Sequence, residues 1–218
     1  MINLGNVFIL GDSYSTFKNY IPVGYDTWYS NNTNRDNDVT EVEQTWWHLF
    51  LNSTDSILKL NCSWSGTTIC NTGYNGDDCK TKSFIGRFEK LIEDGWFIQN
   101  KIDTFIVFGG TNDSCANSPI GELKYANWTE KDLYSALPAF CYLLNSIKSQ
   151  LPYTRIICII NPDLKSEIAD NYREACNKYN IEAISLHNFD KKSGHPSIEG
   201  MKQIANQVLK FVETKIIN

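Results

Sequence analysis

Short apolar runs recur along the chain, and each of them ends in small or polar residues. Runs of about five residues with many β-branched members are typical of buried strands. Five such strands are predicted, at residues 6–10, 57–61, 104–108, 155–160 and 181–186.

The segments between these runs have helical periodicity. In the clearest, Thr129 and Asp132 are placed as a capping box before an apolar stripe formed by Leu133, Leu137, Phe140, Leu144 and Ile147. Pro138 either kinks this helix or begins a second one. The last segment carries another stripe, formed by Ile198, Met201, Ala205, Val208 and Val212.

Alternating strands and helices predict one α/β domain over residues 1–218, with a five-stranded parallel sheet covered by helices on both faces. The carboxyl ends of parallel strands lie on one edge of the sheet, here called the rim. Ser13, Gly66, Asn112 and His195 each follow a predicted strand, so they are expected to gather there.

Two stretches interrupt this alternation, at residues 19–44 and 67–83. Both are rich in Asn, Asp, Gly, Thr and aromatic residues, and both follow strand-end motifs. They are therefore expected to be ordered loops that arch over the rim.

Net charge and cysteine usage exclude several classes of function. The charge of -5, without a Lys/Arg cluster, argues against nucleic acid as a partner. The seven cysteines form no C-x-x-C pair, so we expect free, mostly buried thiols and no metal site. No window approaches the ~18 apolar residues of a membrane span. The expectation is a soluble, cytoplasmic protein, or a secreted or periplasmic one if a leader has been removed.

Serine attack on an acyl carbon needs a base for the serine proton and donors for the oxyanion. Ser13 and His195 supply the nucleophile and the base. The predicted oxyanion donors are the backbone amides of Ser13 and Gly66 and the side-chain amide of Asn112. A residue without a β-carbon, such as Gly66, lets its amide approach the substrate closely.

Four motifs carry a resemblance to a known family: Gly11-Asp12-Ser13-Tyr14-Ser15, Gly66, Gly110-Thr111-Asn112-Asp113 and His195-Pro196. With them in this order over nearly the whole chain, the protein resembles the SGNH (GDSL-type) hydrolases. The resemblance implies a flavodoxin-like three-layer α/β/α fold and hydrolysis of acyl esters without a cofactor.

One position departs from the family pattern. The family usually carries its triad Asp three residues before the His, and Lys192 stands there. A lysine cannot accept the imidazole N–H. Asp190 is the nearest carboxylate and is the favoured third member of a triad. The alternatives are a Ser–His dyad oriented by a backbone carbonyl or water, and a carboxylate from the rim loops.

Aromatic residues of the loops suggest the substrate. Flat aromatic faces pack against sugar rings, and the best-placed candidates are Tyr25, Trp28, Tyr29 and Tyr74. Trp46, Trp47 and Trp64 are expected in the core. The interpretation is a serine esterase that removes acetyl or another short acyl group from a carbohydrate or a small ester. A lipase, lysophospholipase or thioesterase is the alternative within hydrolases, and a non-catalytic carbohydrate-binding protein is the alternative from another class.

Other polar residues near these motifs are given structural roles. Asp12 and Asp113 suit turn-stabilising hydrogen bonds, His48 and His187 are expected to be structural or at the surface, and Arg87 is expected on a solvated helix face. The oligomeric state stays open.

Overall fold

The computed structural model describes residues 2–32 and 35–217; the side chains of 216 and 217 are outside the description. Residues 1 and 218 of the predicted domain, and 33 and 34 of the first rim loop, therefore lie outside the described residues. The central sheet has five parallel strands in the order β2-β1-β3-β4-β5. They are β1 (Asn6–Gly11), β2 (Ile57–Ser63), β3 (Thr104–Phe108), β4 (Arg155–Ile160) and β5 (Glu182–Ser185).

All five strands were predicted from the apolar runs, and the five-stranded parallel sheet is confirmed. The ends differ by at most two residues, because an apolar run does not mark the last residue that pairs with a neighbouring strand. β2 continues past the predicted residue 61 to Ser63, which pairs with Gly11.

Seven helices surround the sheet in the described part of the chain. They are α1 (Trp46–Ser53), α2 (Phe84–Glu93), α3 (Trp96–Gln99), α4 (Thr111–Cys115), α5 (Ala136–Gln150), α6 (Ser166–Lys178) and α7 (Ile198–Ile217). The capping box at Thr129 and Asp132 is present, but it caps a 3₁₀ turn, Glu130–Tyr134, ahead of α5. Pro138 lies in the first turn of α5, where a missing N–H is tolerated, so it belongs to the start of a second helix.

The sheet separates two apolar layers because successive side chains of a strand point to opposite faces. Phe8 and Leu10 of β1 pack in one layer with α2, α5 and α6, whereas Val7 and Ile9 pack in the other with α1 and α7. The three-layer α/β/α architecture is thereby confirmed. No helix in residues 2–32 and 35–217 is long and apolar enough to cross a membrane.

The chain order within the sheet creates a crevice at the rim. β1 pairs with β2 on one side and with β3 on the other, so the connections that follow β1 and β3 diverge. Such a switch point is where open α/β sheets bind ligands. A two-stranded antiparallel hairpin, β6 (Lys191–Lys192) and β7 (His195–Pro196), follows β5 and was not predicted.

Candidate active site

Ser13 lies on a tight 3₁₀ turn, Ser13–Ser15, directly after β1. The carboxylate of Asp12 caps this turn by accepting the amide of Tyr14 at 3.1 Å, which is the turn-stabilising role predicted for it. Gly11 is required before the turn, because a β-carbon there would come within 2.5 Å of the Ser63 hydroxyl. The turn is therefore packed tightly against the end of β2.

His195 meets Ser13 at the rim although 182 residues separate them. The Nε2 atom of His195 lies 3.0 Å from the Oγ atom of Ser13. His195 opens β7, and the hairpin loop consists of Ser193 and Gly194, both with positive φ, as a type I′ turn requires. The short loop thus fixes where the imidazole stands relative to the serine.

The other imidazole nitrogen faces the backbone. The Nδ1 atom of His195 lies 3.2 Å from the carbonyl oxygen of Ser193. Asp190, predicted to orient His195, instead accepts a hydrogen bond from the Ser197 hydroxyl, which also accepts the amide of Gly200 at the start of α7. The structure therefore places a carbonyl, not the Asp190 carboxylate, beside the imidazole. The two-residue turn is too short to loop out and let Asp190 reach His195 in the predicted way.

Lys192, at the position of the family's carboxylate, points away from the imidazole. Its Nζ atom lies 2.7 Å from Asp38, whose other oxygen accepts the amide of Ile198 at 2.8 Å. The side-chain amide of Asn37 donates to the carbonyls of Lys192 and Pro196, both at 3.2 Å. The first rim loop therefore clamps the hairpin from outside.

Aromatic rings enclose the imidazole of His195. The indole of Trp28 stacks on it with centroids 3.3 Å apart at 8°, and the ring of Tyr14 meets it edge-on at 5.3 Å. Burial lowers the pKa of His195 to about 4, the carbonyl of Ser193 acts in the opposite sense, and the charges of Arg35 and Lys191 lower it further. The imidazole is consequently neutral near pH 7, as a general base must be.

Two of the predicted oxyanion donors, Gly66 and Asn112, lie on the segments that follow β2 and β3, the strands on either side of β1, which Ser13 follows. Among the described residues, the amides of Ser13 and Gly66 donate no hydrogen bond. Gly66 has a φ of +78°, and a β-carbon there would meet only open space, so its conformation needs glycine although its volume does not. Asn112 donates one Nδ2 hydrogen to the carbonyl of Thr67 at 3.0 Å, which leaves the second hydrogen for a ligand.

Two further residues hold these donors in place. The hydroxyl of Tyr74 donates to the Oδ1 atom of Asn112 at 2.9 Å, which fixes the direction of the side-chain amide. The buried carboxylate of Asp113 accepts the amides of Ile69 and Cys70 at 2.8 and 3.1 Å. Burial raises the pKa of Asp113 and these amides oppose the rise. Asp113 therefore has the structural role predicted for it.

Arg87 is buried beneath the site, so its predicted place on a solvated face is wrong. It is 1% exposed, and its guanidinium donates to the carbonyls of Cys62, Lys82 and Gly11 and to the hydroxyl of Thr67. Charged residues recur at helical spacing along α2, which is typical of a solvated face. The carbonyls that accept from Arg87 come together only in the folded protein. Burial lowers the pKa of Arg87.

The predicted sugar-binding aromatics are not equally accessible. Tyr29 is 1% exposed and donates its hydroxyl to the carbonyl of Pro196, so it is a core residue. Trp28 is covered by His195 on one face. The Arg35 guanidinium lies 4.0 Å from the same indole, and two planar groups cannot share one face at these distances, so it covers the other. Neither residue offers a free face, contrary to prediction.

The remaining aromatics divide in the same way. Tyr25 stacks on Trp64 at 4.0 Å, and Trp64 is half-buried with its indole N–H on Asp26, not in the core as predicted. Trp46 and Trp47 are buried, as predicted. Tyr74 is 43% exposed beside Asn112 and is the most exposed member of the predicted set.

Within residues 2–32 and 35–217, no three His, Cys, Asp or Glu side chains are grouped so that they could hold a metal ion. All seven cysteines are unpaired, and five of them are buried. His48 lies beside Asn52 on α1, and His187 is an exposed residue whose backbone bonds with Gln207 of α7.

A serine–histidine pair and amides without an acceptor, on the rim of a parallel α/β/α sheet, are the arrangement found in the class of serine hydrolases with this architecture. The model of the GDSL-like Lipase/Acylhydrolase family matches residues 5–212. The chain belongs to this family. None of the curated proteins matches it.

Solved structures agree with this membership. A GDSL-like lipase from Bacteroides uniformis ATCC 8492 is 45% identical, with a TM-score of 0.89 and coverage of 96% of this chain and 95% of that one. Another from Bacteroides ovatus ATCC 8483 is also 45% identical, with a TM-score of 0.90 and coverage of 96% and 98%. An acetyl xylan esterase from the rumen bacterium Butyrivibrio proteoclasticus shares the fold at 17% identity, with a TM-score of 0.60 and coverage of 97% and 64%.

Proposed function

We propose that the protein is a serine esterase in which Ser13 and His195 act as a catalytic dyad and Ser13, Gly66 and Asn112 hold the oxyanion. The distance of 3.0 Å between the Nε2 atom of His195 and the Oγ atom of Ser13 carries this proposal. The neutral imidazole and the adjacent free amides support it.

In this mechanism the Oγ atom of Ser13 attacks the ester carbonyl while Nε2 of His195 accepts the hydroxyl proton. The negative oxygen of the tetrahedral intermediate receives hydrogen bonds from the two backbone amides and from Asn112, each worth ~3 kcal/mol of barrier. The C–O bond to the leaving alcohol then breaks, and His195 returns the proton to that alcohol. Water, deprotonated by His195, releases the acid and restores Ser13.

The carbonyl of Ser193 takes the orienting position that a carboxylate occupies in a triad. It accepts the Nδ1–H of His195, which fixes the tautomer with Nε2 unprotonated. A carbonyl carries no full charge, so it stabilises the imidazolium of the transition state less than a carboxylate does. We therefore propose that Asp190 contributes to the cap of α7 and not to the dyad.

The proposed substrate is an acetyl or other short acyl ester of a carbohydrate. The exposed phenol of Tyr74 beside Asn112, and the polar residues of the loop at 67–83, suit a ligand rich in hydroxyls. The structural likeness to an acetyl xylan esterase supports the same class. Tyr29 and Trp28 have no part in this proposed sugar contact, because Tyr29 is buried and Trp28 is covered on both faces.

The test compares Ser13→Ala and His195→Ala with the parent on p-nitrophenyl acetate, p-nitrophenyl decanoate and an acetylated xylo-oligosaccharide. His187→Ala is the matched control, because that histidine is exposed and its bonds are made by the backbone. We expect both site variants to lose at least 10³-fold in kcat and the control to keep its rate. Full activity of Ser13→Ala would refute the nucleophile, and a preference for decanoate would refute the short-acyl assignment.

The role of Asp190 is tested separately by Asp190→Asn. Loss of the carboxylate in a true triad lowers kcat ~10⁴-fold. Because Asp190 contacts Ser197 and not the imidazole, we expect less than about a tenfold loss. A loss near the triad value would restore Asp190 to the catalytic set.

A further inference from the structure

The imidazole of His195 lacks the partner that fixes it in a triad. Among the described residues, the one polar contact at Nδ1 is a carbonyl 3.2 Å away in the same hairpin, two residues back in the chain. A local contact of this kind sets the tautomer but allows the ring to turn about its own bond to the β-carbon. Something else has to set the plane of the ring, because proton transfer needs Nε2 aligned with the Ser13 hydroxyl.

The flat surface against this ring is Trp28. Its indole lies 3.3 Å from the imidazole by centroid and 8° from parallel, closer and flatter than the other aromatic contacts of His195, Tyr14 at 69° and Tyr29 at 78°. Contact at van der Waals distance over a whole face resists rotation out of the plane. An indole face also attracts a cation, so it favours the imidazolium that forms during attack.

The backbone of Trp28 is tied to the turn that carries the nucleophile. The amide of Trp28 donates to the hydroxyl of Thr16 at 2.9 Å, and that hydroxyl donates to the carbonyl of Ser13 at 3.0 Å. The surface that supports the base and the turn that presents the nucleophile are thereby joined by two hydrogen bonds. A movement of one would carry the other with it.

We propose that Trp28 is the positioning residue of His195, which sets the plane of the imidazole where Lys192 replaces the usual carboxylate. The inference rests on the proposed dyad. In this arrangement Trp28 positions the general base and does not bind substrate. The indole then explains how the dyad works with only a carbonyl at Nδ1.

The variants Trp28→Phe and Trp28→Leu distinguish the effect of a flat ring from the effect of apolar volume. The indole Nε1–H has no acceptor among the described residues, so phenylalanine keeps a flat face without losing a hydrogen bond. Leucine keeps apolar volume but no plane. Trp128→Leu is the control, because that indole packs edge-on against Tyr142 and bonds to Lys124, not to the site. Thermal unfolding verifies that each variant is folded.

We expect Trp28→Leu to lower kcat for p-nitrophenyl acetate at least tenfold with KM within twofold, and Trp28→Phe to stay within about threefold of the parent. The pKa of His195, followed by NMR in a Ser13→Ala background, should rise in Trp28→Leu. Burial is the main cause of the lowered pKa, so the solvation gained when water reaches the ring outweighs the lost attraction between the indole and the imidazolium. It should rise less in Trp28→Phe. The titratable and charged groups that face the imidazole in this measurement are Tyr14, Tyr29, Arg35 and Lys191.

The two readouts keep the proposals apart. If the parent shows no Ser13-dependent hydrolysis, the proposed function fails, and the His195 titration alone decides the role of Trp28. An unchanged kcat together with an unchanged His195 titration in Trp28→Leu would overturn the inference. A raised KM with normal kcat would also overturn it, since that pattern belongs to a substrate-binding residue.

Discussion

Replacing Arg87 by methionine should destabilise the fold by about 2–4 kcal/mol. The guanidinium is fully buried and makes four hydrogen bonds, to the carbonyls of Lys82, Cys62 and Gly11 and to the hydroxyl of Thr67. Methionine keeps an unbranched apolar stem but removes every donor. Two of the acceptors left behind, the carbonyls of Gly11 and Cys62, lie at the end of β1 and near the end of β2. The other two, on Lys82 and Thr67, lie in the loop at 67–83.

The magnitude follows from what each acceptor loses. A buried acceptor without a donor costs ~1–3 kcal/mol. The carbonyl of Gly11 keeps a second partner, the amide of Trp64 at 3.1 Å, so its loss is smaller than the others. Removal of a buried cation recovers part of the total, because desolvation already lowers the pKa of Arg87. The remainder is a large share of a typical stability of ~5–15 kcal/mol.

Arg87→Lys should be no better than the methionine variant. A lysine keeps the charge in the same buried place, and its single ammonium cannot span acceptors that now meet three separate nitrogens of one planar group. The change is therefore conservative in charge only.

Urea unfolding of the parent and of both variants measures these differences. Arg173→Met is the matched control, because Arg173 is an exposed residue of α6 in a surface ion pair with Asp170, worth less than about 0.5 kcal/mol. A free energy of unfolding for Arg87→Met within 0.5 kcal/mol of the parent would refute the reasoning. So would a lysine variant as stable as the parent.

Three further outcomes are expected. The pKa of His195 lies near 4 against an ordinary 6.5, so the acid limb of kcat/KM should be centred near pH 4; a limb near pH 6.5 would contradict this. The stability that the neutral imidazole contributes should be lost as pH falls from 6.5 through 4. Burial raises the pKa of Asp12 to about 7, so the stability lost to ionising this buried carboxyl grows as pH rises from 3.8 through 7. Asp12→Asn should therefore raise Tm more at pH 8.5 than at pH 5, and an equal rise at both would contradict this. Tyr74→Phe removes the donor to the oxygen of Asn112, so kcat should fall about tenfold while Tyr20→Phe stays at the parent rate; equal kcat for both variants would count against that role.

The apolar pattern was sufficient for the fold because burial on both faces of a parallel sheet demands continuous apolar strands. The five runs became the five strands. The two helix stripes became faces of α5 and α7, apart from Leu133, which lies in the 3₁₀ turn before α5. The same topology brings Ser13, Gly66, Asn112 and His195 to one rim. Their meeting could be predicted from strand ends alone, since it needs no knowledge of side-chain contacts.

The surroundings of those residues could not be predicted in the same way. Asp190 was a reasonable partner by distance along the chain, but the two-residue turn at Ser193 and Gly194 presents a carbonyl to the imidazole first. The sequence around Arg87 is typical of an exposed helix face. The carbonyls of Cys62 and Gly11 become its acceptors only when the strands pack together.

What the sequence by itself determined is the list of chemical groups and the edge of the sheet where they meet, because strand and helix periodicities are local and topology does the rest. What only the tertiary structure decided is how each group is held: the carbonyl at Nδ1 of His195, the indole of Trp28 on its ring, and the phenol of Tyr74 on Asn112. The conformation of loops sets each of these contacts. Loop conformation, unlike a helix or strand, has no periodic pattern in the sequence.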